Sequence, residues 1–115
     1  LSASGADGVW KTESDKHGAY LHVRMEPCNA NKSMICGVIS EAFTKDGKDP
    51  GYANLGKPIV KEMKPDGTNS YSGGTVWDPQ SNKTYKSKIS ISGNSMTVKG
   101  CIGPVCSGQN WTRVK

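Results

Sequence analysis

Strict two-residue alternation of apolar and polar side chains recurs along this chain, and it limits the fold more than any other feature. Residues 19–26 read AYLHVRME, with small or aliphatic side chains at odd positions and polar or aromatic ones at even positions. Because successive side chains of a β-strand point to opposite faces, this pattern predicts a half-buried strand. Further strands, separated by turn-forming clusters, are predicted at residues 9–12, 34–41, 59–64, 70–77, 84–92, 96–101 and 109–114.

These segments predict an all-β protein, a small antiparallel barrel of about eight strands. No segment has a convincing helical period, and the long connection at residues 44–56 is too rich in Gly, Asp, Lys and Pro for a helix. A barrel is favoured over a tight sandwich because full closure leaves no exposed strand edge. We expect one barrel domain over residues 8–115, preceded by a flexible N-terminal tail at residues 1–7.

Four cysteines, Cys28, Cys36, Cys101 and Cys106, occur in a chain of 115 residues of which only 34% are hydrophobic. An even number of cysteines in so short a chain is typical of a disulfide framework formed in an oxidising compartment. A zinc site is disfavoured, because neither pair has the close spacing of zinc ligands and neither has a histidine beside it. A redox centre is also disfavoured, because the spacer between Cys101 and Cys106 is long and carries no positive charge.

Three disulfide pairings are possible in principle. Local pairing, Cys28 with Cys36 and Cys101 with Cys106, is favoured because turn-forming residues lie between the members of each pair. The bridges predict an exported protein, and because no targeting segment opens the sequence, we expect it to be the mature form after signal peptide removal. No segment has the apolar length of a membrane span.

Short motifs in a fixed order resemble a bacterial family known as domain of unknown function 2147, whose members are small exported proteins of the cell envelope. The motifs are GVWKT at 8–12, Cys28 with CGVI at 36–39, GKPI at 56–59, YSGGTVWDP at 71–79, KTY at 83–85, VKG at 98–100 and WTRV at 111–114. The family more usually has an aromatic residue at the position of Cys101 and no cysteine near Cys106, which makes the second bridge a local addition. The resemblance implies a lipocalin-like barrel and a periplasmic or secreted location, and it supplies no catalytic residues.

Barrels of the lipocalin kind bring a Gly-x-Trp motif near the chain start against a basic residue of the last strand. By this resemblance Trp10 is expected under Arg113, closing one end of the barrel. A ligand would then reach the interior from the other end, beneath a polar lid formed by residues 44–56. The candidate ligand-binding residues are inward-facing aromatic and aliphatic side chains on two neighbouring strands: Tyr71, Trp77, Tyr85 and Ile89.

The chain offers little of the chemistry that enzymes use. His17 and His22 are predicted in a turn and on the polar face of a strand, and no free thiol or Gly-x-Ser-x-Gly motif accompanies them. Asp78-Pro79 is typical of a type I turn, and Gly73-Gly74 of a bulge or a close backbone approach. We therefore expect no enzymatic activity, no cofactor and no metal site.

The formal net charge is +5, and Lys86 and Lys88 share one strand face that is predicted to be exposed. A basic surface attracts anionic envelope components such as phospholipid headgroups or glycan polyanions, although scattered lysines are also the usual solvated face of a strand. Nucleic acid is disfavoured because aromatic residues do not alternate with the basic ones.

Two hypotheses for function follow from these features. The first is a binding module for a small apolar or amphipathic ligand, and the alternative is a structural or interaction protein that docks an anionic polymer or another protein. We expect a monomer in either case. The volume left inside the barrel discriminates the two, because a filled interior leaves no room for a ligand.

Overall fold

The computed structural model of the protein describes residues 5–115, and all the regular secondary structure in this range is β-strand. The strands are β1 (Gly8–Lys11), β2 (Tyr20–Pro27), β3 (Ile35–Thr44), β4 (Gly47–Lys48), β5 (Pro58–Pro65), β6 (Ser70–Asp78), β7 (Lys83–Ser92), β8 (Ser95–Ile102) and β9 (Val105–Arg113). Each strand except β4 overlaps a predicted segment. The short β4 was not predicted, and β9 begins four residues before the predicted segment 109–114.

The strands form one antiparallel sheet that closes on itself. Their order is β2-β1-β9-β8-β7-β6-β5-β3-β4, and an additional pairing of β2 with β3 completes the ring. Eight strands therefore make a closed up-and-down barrel, with β4 added to the outer end of β3. The predicted all-β barrel is confirmed.

The two ends of the barrel differ in what surrounds them. One end, here called the base, carries residues 5–7, the β2–β3, β5–β6 and β7–β8 connections and the C-terminus. The other end, here called the mouth, carries the β1–β2, β3–β5, β6–β7 and β8–β9 connections. The long predicted connection at residues 44–56 therefore belongs to the mouth.

The interior near the base is filled by large apolar side chains. The largest fully buried ones are Trp10, Met25, Ile39, Met63, Met96, Val23 and Val60. Methionine and β-branched residues fill the irregular space of a small barrel well, because thioether side chains adapt their shape. This packing is the hydrophobic core of the protein.

A bulge in β6 changes which side chains face the interior. The register between β6 and β7 shifts between Tyr71 and Gly74, and Gly73 has a φ of 82°, a conformation that favours glycine. Below the bulge Tyr71 pairs with the buried Ile89, whereas above it Val76 takes the inward position opposite Tyr85. Trp77 consequently lies on the other face from Tyr71, and the sequence prediction that these two share a face is wrong.

Gly74, beside this bulge, lies unusually close to the neighbouring strand. A Cβ atom at Gly74 would collide with the Lys61 carbonyl oxygen and would lie 2.7 Å from the carbonyl carbon of Glu62. Backbone atoms cannot move aside as a flexible side chain can. The close approach of β5 and β6 therefore requires glycine at this position.

Two disulfides connect neighbouring segments of the chain. Cys28 pairs with Cys36 across the β2–β3 connection at the base, and Cys101 pairs with Cys106 across the β8–β9 hairpin at the mouth. No cysteine is free. Because both bridges enclose short loops, each contributes about 2–3 kcal/mol by restricting the unfolded chain.

The base is closed by a contact between β1 and β9. Trp10 pairs in register with Arg113, and the guanidinium carbon lies 4.3 Å from the centre of the fully buried indole ring. The Arg113 side chain also donates hydrogen bonds to the Asp7 carbonyl (2.9 Å) and the Gly5 carbonyl (2.7 Å). Ala6 is fully buried and accepts a 2.9 Å hydrogen bond from the Trp10 indole nitrogen.

Residues 5–7 were predicted to belong to a flexible tail, but they pack against the barrel. Their carbonyl groups accept the hydrogen bonds that Trp10 and Arg113 donate. Residues 1–4 of that predicted tail lie outside the described residues.

Replacing Arg113 tests how much this closure contributes to stability. We expect Arg113→Ala to lower the free energy of unfolding by about 2 kcal/mol, because the cation–π contact and two charge-assisted hydrogen bonds are lost. Arg113→Lys should recover only part of the loss, since an ammonium cannot cover the indole or reach both carbonyls. Urea unfolding followed by circular dichroism measures both. Arg24→Ala, at the exposed second arginine, is the control, and equal unfolding of the two alanine variants would contradict the closure.

Alanine substitution at two strand glycines tests the close approach of β5 and β6. Gly74→Ala should destabilise the protein by about 2 kcal/mol or more, because the added methyl group overlaps the backbone of β5. Gly108→Ala in β9 is the matched control, since its nearest neighbour, Lys99 Cγ, lies at an ordinary 3.5 Å. Thermal unfolding of the two variants should separate them clearly, and similar melting temperatures would refute the steric account.

Candidate functional site

A cavity of about 650 Å³ occupies the upper half of the barrel and opens at the mouth. Its walls come from seven of the eight barrel strands, all except β1, and its rim comes from the connections at the mouth. Ligand-binding pockets commonly have volumes of roughly 300–1,000 Å³. The barrel is therefore filled at the base and hollow at the mouth, with room for a small molecule.

Aromatic rings dominate the apolar part of this cavity. Six of the eight aromatic residues of the chain line it, namely Tyr20, Phe43, Tyr52, Trp77, Tyr85 and Trp111. Tyr85 projects from an inward position, and Trp111 is buried at the floor and donates a 3.0 Å hydrogen bond to the Gln109 side chain. Such rings offer flat apolar surfaces and π-faces to a bound molecule.

Two of the rings form a pair at the rim. Tyr20 and Phe43 face each other across β2 and β3 and stack with centroids 4.8 Å apart and an interplanar angle of 12°. The Lys11 ammonium lies 4.3 Å from the centre of the Tyr20 ring. These side chains lie at the upper end of the outer face, where they also border the cavity.

The polar part of the rim is acidic. Four carboxylates line the cavity: Glu13 and Asp15 from the β1–β2 connection, Asp49 from the β4–β5 connection and Asp78 at the end of β6. Gln80 joins two of them, because its backbone N–H donates to the Asp78 carboxylate at 2.9 Å and its side-chain Nε2 donates to the Asp15 carboxylate at 3.1 Å. The acids are therefore held by loops that are distant in sequence.

Backbone hydrogen bonds stabilise the ionised form of the Asp15 carboxyl group. Its side chain accepts from the backbone N–H of Ala19 at 3.0 Å and of His17 at 2.8 Å. These bonds, that of Ala19 first, hold the pKa of Asp15 below its ordinary value, because they favour the ionised carboxylate. Asp15 is thus negatively charged at neutral pH.

The cavity includes two of the four predicted ligand-binding residues. Trp77 and Tyr85 line it, whereas Tyr71 and Ile89 are buried in the core below and do not. Trp77 does not line the cavity from the inner face of β6 as predicted. Because of the bulge in β6 it lies on the outer face, at the upper end of the strand, and borders the cavity from the rim.

The predicted lid at residues 44–56 lies at the mouth. Thr44, Asp49 and Tyr52 from this segment line the cavity. The segment is tied to β3, since Asp49 donates a backbone hydrogen bond to Ala42 (2.8 Å) and Gly56 donates one to Ile39 (2.8 Å).

Several residues of the site were missed from the sequence. Glu13, Asp15 and Asp49 at the rim are not among the predicted site residues, and neither is Ser87, which lies beside the cavity wall. Ser87 shares the inward face of β7 with Tyr85 and is paired in register with Gly74 and Gly100. Its hydroxyl is buried and has no hydrogen-bond partner among residues 5–115. The sequence does contain one sign of this residue. Ser87 is a polar residue at the inward parity of Tyr85 and Ile89 in the predicted strand 84–92.

The β8–β9 hairpin extends one edge of the mouth. Ile102 and Val105 line the cavity and are 66% and 71% exposed, the largest exposures of any big apolar side chain in the described chain. They pair with each other beside the Cys101–Cys106 disulfide.

Neither a metal site nor a membrane-spanning helix is found in the described chain. Within residues 5–115 no group of three or more histidine, cysteine or acidic residues is arranged to hold a metal ion. In the same range no helix has the length and apolar character to cross a membrane.

Comparison with known protein families gives a match over residues 8–113 to the family described as "Uncharacterized protein conserved in bacteria (DUF2147)". The chain belongs to this family. The resemblance inferred from the ordered motifs is therefore confirmed over nearly the whole chain. A search of curated proteins found no match.

A solved structure supports the fold of this member of the family. The chain is similar to protein HP1028 from the human pathogen Helicobacter pylori, described as belonging to the lipocalin family, with a TM-score of 0.73 at 15% sequence identity. The similarity covers 98% of this chain and 85% of that one. At this identity the comparison shows a shared fold, which is lipocalin-like.

Proposed function

We propose that this protein is a non-enzymatic binding module that holds a small apolar or amphipathic ligand in the cavity at the mouth of the barrel. One observation carries the proposal: the barrel is hollow in its upper half, and aromatic rings line that space. A barrel of this size could fill its interior with side chains, as it does at the base. The lipocalin-like fold supports the same function.

The path of the ligand follows from the closed base. Trp10, Arg113 and residues 5–7 obstruct that end through buried contacts. The ligand therefore enters between the connections at the mouth, where the walls carry Trp77 and Tyr85. In this proposal Tyr71 and Ile89 support the pocket from below without touching the ligand.

The location we propose is the periplasm or the outside of the cell. Two disulfides and membership of a bacterial family indicate an oxidising compartment outside the cytoplasm. A binding module there would meet ligands of the cell envelope or of the medium.

The surroundings of the two histidines support a role without catalysis. His17 is exposed in the β1–β2 connection, and His22 lies on the outer face, 3.4 Å from Glu41. Neither lines the cavity, so neither is placed to act as a general base on a molecule bound there.

A neutral fluorescent probe tests whether the cavity binds ligands. N-phenyl-1-naphthylamine should bind saturably, with one probe per protein and enhanced emission, because the cavity excludes water from an aromatic guest. Ser107→Phe should weaken binding about tenfold or more, since Ser107 lines the cavity wall and a phenyl ring there occupies ligand volume. Ser90→Phe, at an exposed serine of β7, is the matched control.

Two results would contradict the proposal. The first is a linear, non-saturating probe signal in the unmodified protein. The second is equal binding by the Ser107→Phe and Ser90→Phe variants, which would place the probe on the outer surface.

A second candidate function, docking of an anionic envelope component, is favoured by one feature of the outer face. Lys88 lies directly opposite Lys99, and Thr75 lies between Lys61 and Lys86 in register. Like charges directly opposite each other are destabilising, and an anionic partner would relieve this repulsion.

Vesicles that contain anionic phospholipid test this candidate. Lys88→Ser with Lys99→Ser should reduce sedimentation with the vesicles far more than Lys16→Ser with Lys32→Ser, two exposed loop lysines that alter the net charge equally. Equal loss in the two double variants would show only a response to net charge and would reject a docking face.

A further inference from the structure

Charge is distributed unevenly between the cavity and the rest of the molecule. The chain has 15 Lys and Arg against 10 Asp and Glu, yet four of those acids line the cavity and none of the basic residues does. Neither histidine lines it. The lining of the cavity is thus acidic on a basic protein, with the Lys11 ammonium at its outer edge over the Tyr20 ring. Low-dielectric walls strengthen the field of the carboxylates.

Among residues 5–115 no carboxylate of the rim forms an ion pair, although the nearby His17 acts electrostatically on Asp15. Within residues 5–115 the ion pairs involve only Glu41, which lies on the outer face with His22 and Lys48. Asp15 and Asp78 accept hydrogen bonds from uncharged groups, and Glu13 accepts one from the Asn110 backbone at 2.5 Å. The lowered pKa of Asp15 keeps its charge in place. A cation at the mouth would therefore meet several uncompensated negative charges.

The aromatic lining adds a second, independent attraction for a cation. A positive charge over the face of a Trp or Tyr ring gains roughly 0.5–2 kcal/mol, and the gain increases as water is excluded. Asp78 follows Trp77 in the chain, and Asp49 and Tyr52 belong to the same connection. Two of the four carboxylates therefore lie on the same segment as an aromatic residue of the cavity.

The interior also contains a polar atom that the protein leaves unsatisfied. Ser87 is 2% exposed, and its unpartnered hydroxyl faces the barrel interior beside Gly100, which lines the cavity. A buried hydroxyl without a partner is costly, and a polar group of a bound molecule would satisfy it. Ser87 itself does not line the cavity, so its hydroxyl marks only where a polar group at the inner end of a bound molecule would be stabilised.

We propose that the cavity selects a cationic amphiphile, an amine or quaternary ammonium with an apolar body. The positive head group lies among Glu13, Asp15, Asp49 and Asp78, and the apolar body extends over the aromatic walls. This inference rests on the proposed binding function and specifies the charge of its ligand. Fatty acids and other anionic amphiphiles are disfavoured, because their head groups would lie among like charges.

Competition between three ligands of equal chain length tests the inference. Octylammonium, 1-octanol and octanoate share an alkyl chain and differ in head-group charge, and each is titrated against bound N-phenyl-1-naphthylamine. Octylammonium should displace the probe about tenfold more tightly than 1-octanol, and octanoate should be the weakest. High salt should weaken octylammonium selectively, because salt screens charge.

Isosteric variants connect the preference to the rim. Asp15→Asn with Asp49→Asn should bring the affinity for octylammonium down towards that for 1-octanol. Asp46→Asn with Asp66→Asn is the control, because it changes the net charge equally at exposed acids that do not line the cavity. Probe binding by each variant shows that its barrel is folded.

The outcomes separate the two proposals. If the probe binds and the cation shows no preference, or if the control pair abolishes the preference as fully as the rim pair, cation selection is wrong and the binding module stands. If the unmodified protein does not bind the probe, the binding function fails and the inference fails with it.

Discussion

The closure of the sheet through β1 is the constraint on which the rest of the molecule depends. This strand has only four residues, yet it joins β2 on one side and β9 on the other. Two residue pairs connect β1 to β9, and Val9 continues the pairing through backbone hydrogen bonds to Val114 and Lys115, at 2.7 Å each. Trp10 and Arg113 add side-chain contacts at this point, since one is the central buried ring of the base and the other covers it. The same two residues therefore join the sheet through β1 and close the base of the barrel.

Concentrating the core at one end explains how a chain with few apolar residues makes a stable barrel. Methionine, valine and isoleucine side chains fill the lower half completely, so the upper half can remain open without losing the fold. The disulfides lie one at each end: the buried Cys28 ties the β2–β3 connection at the core, and the Cys101–Cys106 bridge ties the exposed β8–β9 hairpin. Stability and ligand space are therefore assigned to different halves of one barrel, and substitutions in the rim have little packing to disrupt.

Most of the fold was readable from the sequence because strand periodicity and turn chemistry are local properties. The segment 19–26 shows this clearly, since its odd positions face inwards at Val23 and Met25 as predicted. Two departures have local causes. The bulge at Gly73 inserts one residue that alternation cannot show, and the first half of β9 has no apolar alternation because both of its faces are exposed.

The site was less predictable because its members come from connections far apart in the sequence. Asp15 and Asp78 are joined through Gln80 only in the closed barrel, and their spacing in the sequence does not predict that they lie close together. Aromatic residues such as Tyr20 and Trp77 are on outward positions by strand parity, and they border the cavity only because their strands end at the rim. Alternation along a strand predicts which face of the sheet a side chain is on. Whether that side chain contacts solvent, the core or the cavity depends on its height along the barrel axis.

The Cys101–Cys106 bridge has a consequence for the rate at which molecules exchange with the cavity. It lies immediately behind Ile102 and Val105, two apolar side chains held in water at the edge of the mouth. A free hairpin tip would fold these side chains inwards over the hollow, whereas the covalent tie limits that collapse. For the proposed binding function, the edge of the cavity would stay open between binding events, and diffusion to the mouth, rather than a slow conformational step, would set the rate of uptake.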